Sequence, residues 1–400
     1  MNGAKRTLEL EIKDNLTKLK ENPLFQLSTG SKELFHSNFL YWVSIKYEKQ
    51  FAKIFIELSG DKNLGEFDTC RRENKNIDLT LYYKNKMVFI ENKIKSLPTP
   101  NQLDEYKKKV KKEFPEKGHV FLFLGLHKPL FFEGKKEYES WKYISYKDLV
   151  TKIENHFDKK PIYVKHYIDF VKCLSEIGRT FKTIEKDKFD FYDNVILRNL
   201  KDLRIHDLYL KKKYQGIGQL LKKELKDKAI WVHTYGLQSI LNNEENKCFL
   251  NCTYNNGKGT LTLSKVMPTK SKEWIMGIQL EGHQYRQFLA FIGDNITPQK
   301  QKEIKETADK FLKPDEKYKW FNLKTTWTQN KLEVKGEGKG KVLGFNKYYT
   351  KRKDNQEFFL YKYVKLSEVD GIKVKHVIEA FIKDMNFLEK NSEIIIKQLN

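Results

Sequence analysis

Cysteine is scarce in this chain, and its few cysteines are not arranged as a metal site or a disulfide framework. Four occur among 400 residues, at Cys70, Cys173, Cys248 and Cys252. No two of them have the C-x2-C spacing typical of zinc ligands, and scattered cysteines favour a reducing compartment over an oxidising one. We interpret Cys248 and Cys252 as small apolar residues of a strand.

Long hydrophobic segments are also absent from the sequence. The longest apolar run, Val120–Leu126, is far shorter than the ~20 residues that a membrane-spanning helix needs. Residues 1–20 are charged and periodic, and they lack the apolar core of a signal peptide. These observations predict a cytoplasmic protein with no membrane partner.

Acidic residues are few relative to basic residues. The chain has 76 Lys and Arg against 53 Asp and Glu, which gives a formal net charge of +23. Such an excess favours an anionic partner, nucleic acid ahead of an acidic membrane surface. Aromatic residues make up 14% of the sequence, which argues against a disordered polycation.

The length predicts two or three domains of about 100–200 residues each, and residues 1–160 are predicted to form an α/β domain. Apolar spacing near 3.6 predicts a helix over 5–20 and one long or two consecutive helices over 32–58. The elements that follow are two strands in 76–94, a helix at 102–114, strands at 119–126 and 141–145, and a helix at 147–157. This order suits a mixed sheet flanked by helices.

Residues 161–400 are predicted to form a C-terminal α+β domain built on an antiparallel sheet. Helical spacing is found at 162–184, 187–214, 297–311 and 372–388, and β-rich segments at 229–235, 247–254, 260–267, 274–280, 321–327, 341–345 and 358–364. The glycine-rich segment Lys335–Lys341 lacks the ending of a P-loop and is interpreted as a hairpin tip. The domain is expected to serve substrate recognition, regulation or assembly, the last through a homodimer or a regulatory partner.

The segment Ile77–Ile94 carries the most chemical information. Two apolar runs flank a short polar turn at Lys84–Asn85, which predicts a β-hairpin. If these two residues form the loop, Asp78 lies opposite Glu91, whereas a shift of one residue places Asp78 opposite Lys93. Both registers bring the three side chains together, because Glu91 and Lys93 share one face of their strand.

This trio of side chains favours a metal site. Two facing carboxylates in a sheet repel one another, and their burial without a partner costs several kcal/mol by rough estimate. A divalent cation removes that cost, and hard oxygen ligands favour Mg²⁺ or Mn²⁺. A lysine beside the pair can orient a water molecule or help to deprotonate it, as hydrolysis of a phosphodiester requires. The alternative interpretation is a solvated strand end with a cross-strand salt bridge.

With two further segments, these residues resemble the PD-(D/E)XK nuclease superfamily, in particular bacterial members with an N-terminal helical segment. The resemblance rests on Ile77–Asp78, Glu91–Lys93, Gln102–Tyr106 and the upstream segment Glu33–Leu40. Ile77 stands where the name-giving proline would be. The resemblance covers roughly residues 20–150, and it implies a restriction-endonuclease-like mixed sheet and a metal-dependent nuclease.

The same resemblance implies roles at the metal site. Asp78 and Glu91 would bind the ion, with the backbone carbonyl of Asn92 as a third ligand. Lys93 would position the attacking water and stabilise charge on the phosphate, while Glu33 would hold a further water or a second ion. Glu33 also has a simpler interpretation, because the macrodipole favours an acidic residue in the first turn of a helix.

Substrate contacts are expected from the helix that follows the hairpin. The resemblance implies that Gln102 faces the site and that Tyr106 packs beside it or touches the substrate backbone. Lys107, Lys108 and Lys111 lie on the same helix and would contact phosphates beside such a site, although on its own a basic run is typical of a solvated face.

The sequence therefore predicts a Mg²⁺- or Mn²⁺-dependent endonuclease, with DNA ahead of RNA as its substrate. A defence or restriction role is a hypothesis from family habit alone. The alternative is a nucleic-acid-binding or ligand-sensing interaction protein with a nuclease-like fold and little activity. The presence of Asp78, Glu91 and Lys93 together favours the enzyme, because a decayed site usually loses one of them.

Overall fold

The computed structural model describes residues 2–28, 32–74, 76–94, 98, 100–132, 137–138, 140–180, 194–232, 237–241, 247–255, 258–270, 273–294, 296–310, 320–321, 337–347, 355–366 and 372–400. The chain divides into two compact units, the first comprising Met1–Thr183 and Val195–Tyr209 and the second Ile184–Asn194 and Leu210–Asn400. The division into a catalytic domain of residues 1–160 and a second domain of residues 161–400 stays a prediction.

Apart from the short helix Pro23–Leu27, which was not predicted, the helices of the first unit form where the apolar spacing predicts them. They are α1 (Asn2–Glu21), α2 (Pro23–Leu27), α3 (Lys32–Lys46), α4 (Glu48–Ser59), α5 (Pro100–Glu113), α6 (Tyr146–His156), α7 (Ile162–Thr180) and α8 (Asn194–Asp202). The segment 32–58 thus forms two helices, and α4 ends at Gly60, whose φ of +70° is the left-handed conformation that favours glycine. Across the described ranges, no helix is both long and apolar enough to cross a lipid bilayer.

A mixed sheet lies at the centre of the first unit. Its described strands are β1 (Phe67–Asn74), β2 (Ile77–Tyr83), β3 (Lys86–Lys93), β4 (Gly118–Gly125), β5 (Glu137–Tyr138) and β6 (Trp141–Ser145), in the order β1-β2-β3-β4-β6-β5. The pairs β1–β2, β2–β3 and β5–β6 are antiparallel, whereas β3–β4 and β4–β6 are parallel. The predicted mixed sheet flanked by helices is confirmed.

Helices cover both faces of this sheet. On one face, Leu103 of α5 packs in an apolar cluster with Phe89 and Phe121, and its carbonyl accepts a hydrogen bond of 3.0 Å from the Trp141 indole. On the other face, the Tyr83 hydroxyl donates to the carbonyl of Ala52 in α4 at 3.1 Å. On this second face the edge strand β1 contacts α3, where the Arg72 guanidinium bonds the Asn38 side chain.

The second unit contains the predicted antiparallel sheet. Its described elements are α9 (His206–Leu225, which starts in the first unit), β7 (Ala229–Val232), β8 (Cys248–Asn255), β9 (Lys258–Val266), β10 (Trp274–Glu281), β11 (Gln284–Asp294), α10 (Pro298–Lys310), β12 (Glu337–Lys347), β13 (Asn355–Lys365), α11 (Val374–Lys390) and α12 (Ser392–Leu399). The strand order is β12-β13-β11-β10-β9-β8-β7, with only the described pair β7–β8 parallel. Apolar residues of α9 and α11 pack on one face of this sheet.

Several elements differ from the predictions. Strands β1 and β11 were not predicted, and the predicted helix 187–214 is interrupted at Arg204, whose φ is +54°. The interpretation of 335–341 as a hairpin tip is wrong for 337–341, because these residues belong to β12, which pairs with β13. The predicted strand at 321–327 lies outside the described residues apart from its first residue, a turn. Cys248 and Cys252 lie in β8, as predicted.

Candidate active site

The β2–β3 hairpin has the first of the two predicted registers. Leu79 pairs with Ile90 and Tyr82 with Met87, which leaves Lys84–Asn85 as the two-residue loop. One step further along the same ladder, Asp78 stands opposite Glu91. The register with Asp78 opposite Lys93 is therefore excluded.

The three ionisable side chains meet at the open end of this hairpin. The Lys93 ammonium lies 2.7 Å from Glu91 Oε1. Asp78 Oδ2 accepts a hydrogen bond of 2.7 Å from the backbone N–H of Asn92, which lies between Glu91 and Lys93 in β3. The side chain of Glu91 is buried, with the residue only 1% exposed. Two acids and one ammonium group thus occupy a site largely shielded from water.

The electrostatics of this cluster follow from its burial. Burial, together with the charge of Asp78, raises the pKa of Glu91 from 4.5 to about 7, even though Lys93 opposes the shift. Burial likewise raises the pKa of Asp78, against the hydrogen bond from Asn92 and the charge of Lys93. Burial alone would lower the pKa of Lys93, but the charge and the hydrogen bond of Glu91 outweigh it and the pKa is raised. Both acids therefore resist ionisation while the ammonium group is stabilised.

Glu33 lies in the first turn of α3, within electrostatic reach of the hairpin. Its charge raises the pKa values of both Asp78 and Glu91. Its backbone carbonyl accepts a hydrogen bond of 3.0 Å from the Asn92 side chain. The structure thus brings Glu33 to the predicted cluster, whereas its metal-binding role stays a prediction, as does that of the Asn92 carbonyl.

The start of helix α5 closes the site from one side. The Gln102 amide donates to the hydroxyl of Tyr106 at 2.9 Å and lies 3.4 Å from Glu91 Oε1. Both residues are half-buried. Leu103, fully buried between them, anchors the helix to the sheet. Gln102 therefore faces the acids, as the resemblance implied, and Tyr106 packs beside it.

The basic side chains of α5 differ in exposure. Lys107 is largely buried, with its ammonium 3.6 Å from Asp104, while the side chain of Lys108 is 75% exposed and lies 2.7 Å from the same carboxylate. Lys111 is exposed one turn further along. Lys108 and Lys111 are accessible to a ligand, and contact with phosphates stays a prediction.

Arg71 on the edge strand also belongs to the face that carries the acids, and it was not among the predicted site residues. Arg71 pairs with Thr80, and Thr80 pairs with Phe89. Directly opposed residues share a face, and alternate residues of one strand do so too. Arg71 therefore shares its face with Asp78 and Glu91, and its guanidinium lies over the Tyr82 ring, 5.2 Å from the centroid. The sequence of β1 does not show which face Arg71 occupies, because the strand lacks an alternating apolar pattern. Only its pairing with β2 shows the face.

The donor set fits a hard divalent cation. Glu91 Oε2 is buried without a hydrogen-bond partner among the described residues, and an oxygen in that position suits a cation ligand. Asp78 and Glu33 supply further carboxylates nearby. The described residues hold no preformed group of three or more His, Cys, Asp or Glu with metal-binding geometry, so a backbone carbonyl or water would complete the ligand set.

A family model described as the PD-(D/E)XK nuclease superfamily covers residues 21–172, which are less than half of the chain but include every residue of the candidate site. No curated protein and no solved structure matches. Nucleases of this superfamily generally use divalent metal ions and act on nucleic acid. The predicted resemblance is thereby confirmed: residues 21–172 match the model of the PD-(D/E)XK nuclease superfamily.

Proposed function

We propose that the first unit is a Mg²⁺- or Mn²⁺-dependent endonuclease that hydrolyses phosphodiester bonds of nucleic acid, DNA ahead of RNA. One observation carries the proposal: Asp78, Glu91 and Lys93 meet at one strand end, and Glu91 keeps a buried oxygen without a partner among the described residues. Such a cluster costs folding free energy, and ionisable groups perturbed in this way concentrate at functional sites. A solvated salt bridge would show neither property.

The acids of this chain would hold the ion. Asp78 and Glu91 would be ligands together with the backbone carbonyl of Asn92, and Glu33 would approach from α3. A bound divalent ion supplies two effects, a lower pKa of a water molecule and compensation of phosphate charge. Oxygen donors of this kind favour Mg²⁺ or Mn²⁺ over softer ions.

Lys93 would act as a cation and not as a general base. Its contact with Glu91 raises the pKa of its ammonium group, so it stays protonated at neutral pH. In that form it donates hydrogen bonds, which suits the positioning of a water molecule and the stabilisation of charge that develops on the phosphate. Gln102, whose amide donates to the same oxygen of Glu91, would help to hold the orientation of that carboxylate.

Nucleic acid would lie on the α5 side of the sheet, over β1 and β2. Helix α5 packs over Phe89, Phe121 and Trp141 of β3, β4 and β6. On the same side, Arg71 of β1 is exposed and Asp78 of β2 is only half-buried. Arg71 and the exposed lysines of α5 would supply cations that compensate the approach of phosphates.

Substitution of Arg71 tests this placement. Arg71→Gln is expected to weaken DNA binding roughly three- to tenfold and to lower the salt slope of the binding constant by about 1, because one phosphate contact is lost. Fluorescence anisotropy over a range of salt concentrations measures both quantities, with Asp78→Asn as the background so that DNA stays intact.

Arg72→Gln is the matched control for that experiment. Arg72 is also exposed but points to the opposite face, where its guanidinium bonds Asn38 and lies 4.9 Å from the centroid of the Tyr41 ring. Its substitution should leave the salt slope unchanged. Equal losses for the two variants would contradict the proposed binding face.

A cleavage assay tests the proposed activity itself. Purified protein is incubated with supercoiled plasmid and with structured RNA, in Mg²⁺, in Mn²⁺ or in EDTA, beside an Asp78→Ala control. We expect metal-dependent nicking of plasmid that exceeds the control and products with a 5′-phosphate. Binding without cleavage in either metal would favour the interaction protein with a nuclease-like fold. A defence role, a homodimer and a regulatory partner remain predictions.

A further inference from the structure

The side chain of Asn92 points away from the acids and hydrogen-bonds to the N-terminal part of α3. Its neighbours Glu91 and Lys93 face the α5 side, so strand alternation turns Asn92 to the other face. Its amide donates to the carbonyl of Glu33 at 3.0 Å and to the hydroxyl of Ser37 at 3.1 Å. Ser37 lies one turn after Glu33 and itself donates to the Glu33 carbonyl at 3.3 Å. The Asn92 amide therefore hydrogen-bonds to two residues of the same helical turn.

Tyr146 holds this amide in its orientation. Its hydroxyl, at the start of α6, donates to Asn92 Oδ1. Tyr146 is completely buried, and burial raises its pKa well above the usual value, so the hydroxyl remains a donor at any physiological pH. With the oxygen accepting from Tyr146, both N–H groups of Asn92 must point toward α3.

Asn92 also connects to the acids through its backbone. The Asn92 N–H donates to Asp78 Oδ2 at 2.7 Å, and its peptide neighbours are Glu91 and Lys93. One residue therefore contacts Asp78 with its main chain and the turn that carries Glu33 with its side chain. An apolar side chain of similar size would fill the same space without desolvating an amide, so packing alone does not account for asparagine.

We propose that Asn92, held by Tyr146, is a positioning residue that sets the place of Glu33 relative to Asp78 and Glu91. The proposal rests on the proposed metal-dependent nuclease and deepens it. It assigns the Asn92 side chain and Tyr146 to the geometry of the metal site, although neither touches the reacting atoms. A fully satisfied buried polar network of this kind fixes one arrangement of the elements that it joins.

Tyr146→Phe is the main test, because it removes one oxygen and leaves the ring in place. Release of the amide should weaken Mn²⁺ binding, measured by isothermal titration calorimetry without substrate, by about 10- to 100-fold, as for other residues that orient metal ligands. We expect kcat to fall by a similar factor with little change in KM for DNA. Tyr167→Phe is the control: Tyr167 is also completely buried, and its hydroxyl lies 3.0 Å from His36 Nδ1.

A double-mutant cycle separates positioning from a general structural role. If Tyr146 acts through Glu33, then Tyr146→Phe should change Mn²⁺ affinity by less than about twofold in a Glu33→Gln background, because coupled residues are not additive. Additive losses, or an equal loss in Tyr167→Phe, would overturn the proposal. If Tyr146→Phe does not fold, Ser37→Ala replaces it, because this variant removes one of the two acceptors of the Asn92 amide. It should also weaken Mn²⁺ binding, and again only when Glu33 is present.

The outcomes also separate this proposal from the proposed function. If the wild-type protein neither binds Mn²⁺ nor cleaves nucleic acid, the nuclease proposal fails, and the positioning role fails with it. If the wild-type protein binds Mn²⁺ and cleaves but the cycle is additive, only the positioning role fails.

Discussion

Asp78→Asn is expected to abolish cleavage while it stabilises the metal-free protein. The substitution removes one carboxylate from the metal site, and the electrostatic contribution of such a site is several kcal/mol. At about 1.4 kcal/mol per tenfold change in rate, we expect kcat to fall by roughly a thousandfold or more. Plasmid nicking under saturating Mg²⁺ measures the loss.

The gain in stability has a separate physical cause. Burial and the charge of Glu33 raise the pKa of Asp78, so its ionised form is unfavourable in the fold at neutral pH. An amide carries no charge and can still accept the hydrogen bond that the Asn92 N–H donates to Asp78. The free energy of unfolding in urea, with EDTA present, should therefore be higher for the variant than for the wild type.

Asp61→Asn is the matched control, with the opposite expectation for stability. Asp61 lies 2.6 Å from Lys86 near the far end of the same hairpin, and the hydrogen bond with Lys86 lowers its pKa. Its substitution should destabilise the protein and leave the cleavage rate unchanged. A loss of stability in Asp78→Asn, or wild-type cleavage by that variant, would contradict the proposed role of Asp78.

The stability of the metal-free protein is expected to fall as the pH rises from about 4.5 to about 7, owing to Glu91. The pKa of Glu91 in the folded protein is raised from 4.5 to about 7, so the folded state binds this proton more tightly than the unfolded state. The folded state is thus favoured while the carboxyl is protonated, and this contribution disappears as the pH passes through the folded pKa. At about 1.4 kcal/mol per pKa unit, the effect is on the order of 3 kcal/mol.

Glu91→Gln isolates this contribution, because glutamine cannot titrate. The free energy of unfolding of both proteins is measured in urea with EDTA at several pH values. As the pH rises across this range, the wild type should lose stability relative to Glu91→Gln. Mn²⁺ affinity of the wild type should change in the opposite sense and fall below about pH 7, because the ion requires the ionised carboxylate. A difference in stability that does not depend on pH would contradict the raised pKa.

Local sequence signals were sufficient to predict the centre of the candidate site. The sequence left two registers of the β2–β3 hairpin open, but either register brings Asp78, Glu91 and Lys93 together. The structure shows the register in which Lys84–Asn85 is the loop and Asp78 stands opposite Glu91. Strand alternation then assigns Lys93 to the same face. These are short-range rules, so one sequence is enough to apply them.

Features that depend on distant pairing could not be predicted in the same way. Strand β1 is an edge strand with a single buried residue, Cys70, so it has no alternating apolar pattern, and the face of Arg71 follows only from its pairing with Thr80. Contact between Asn92 and Tyr146 joins residues 54 positions apart, and no local spacing encodes it.

Strand β11 is a different case, because its signal was present in the sequence. It contains the apolar run Phe288–Ile292, and it follows β10 through a two-residue loop in which Gly282 has a φ of +59°. Glycine at the first position of such a loop is typical of a hairpin. The strand lies between β10 and β13 in the middle of its sheet.

The most direct test of the metal-dependent centre is anomalous diffraction from crystals of the wild-type protein soaked in Mn²⁺. We predict one strong anomalous peak between the carboxylate of Asp78 and Oε2 of Glu91, the buried oxygen without a partner among the described residues, and no such peak in Asp78→Asn. A soaked crystal without a peak at these two carboxylates, or with the same peak in the variant, would contradict the account.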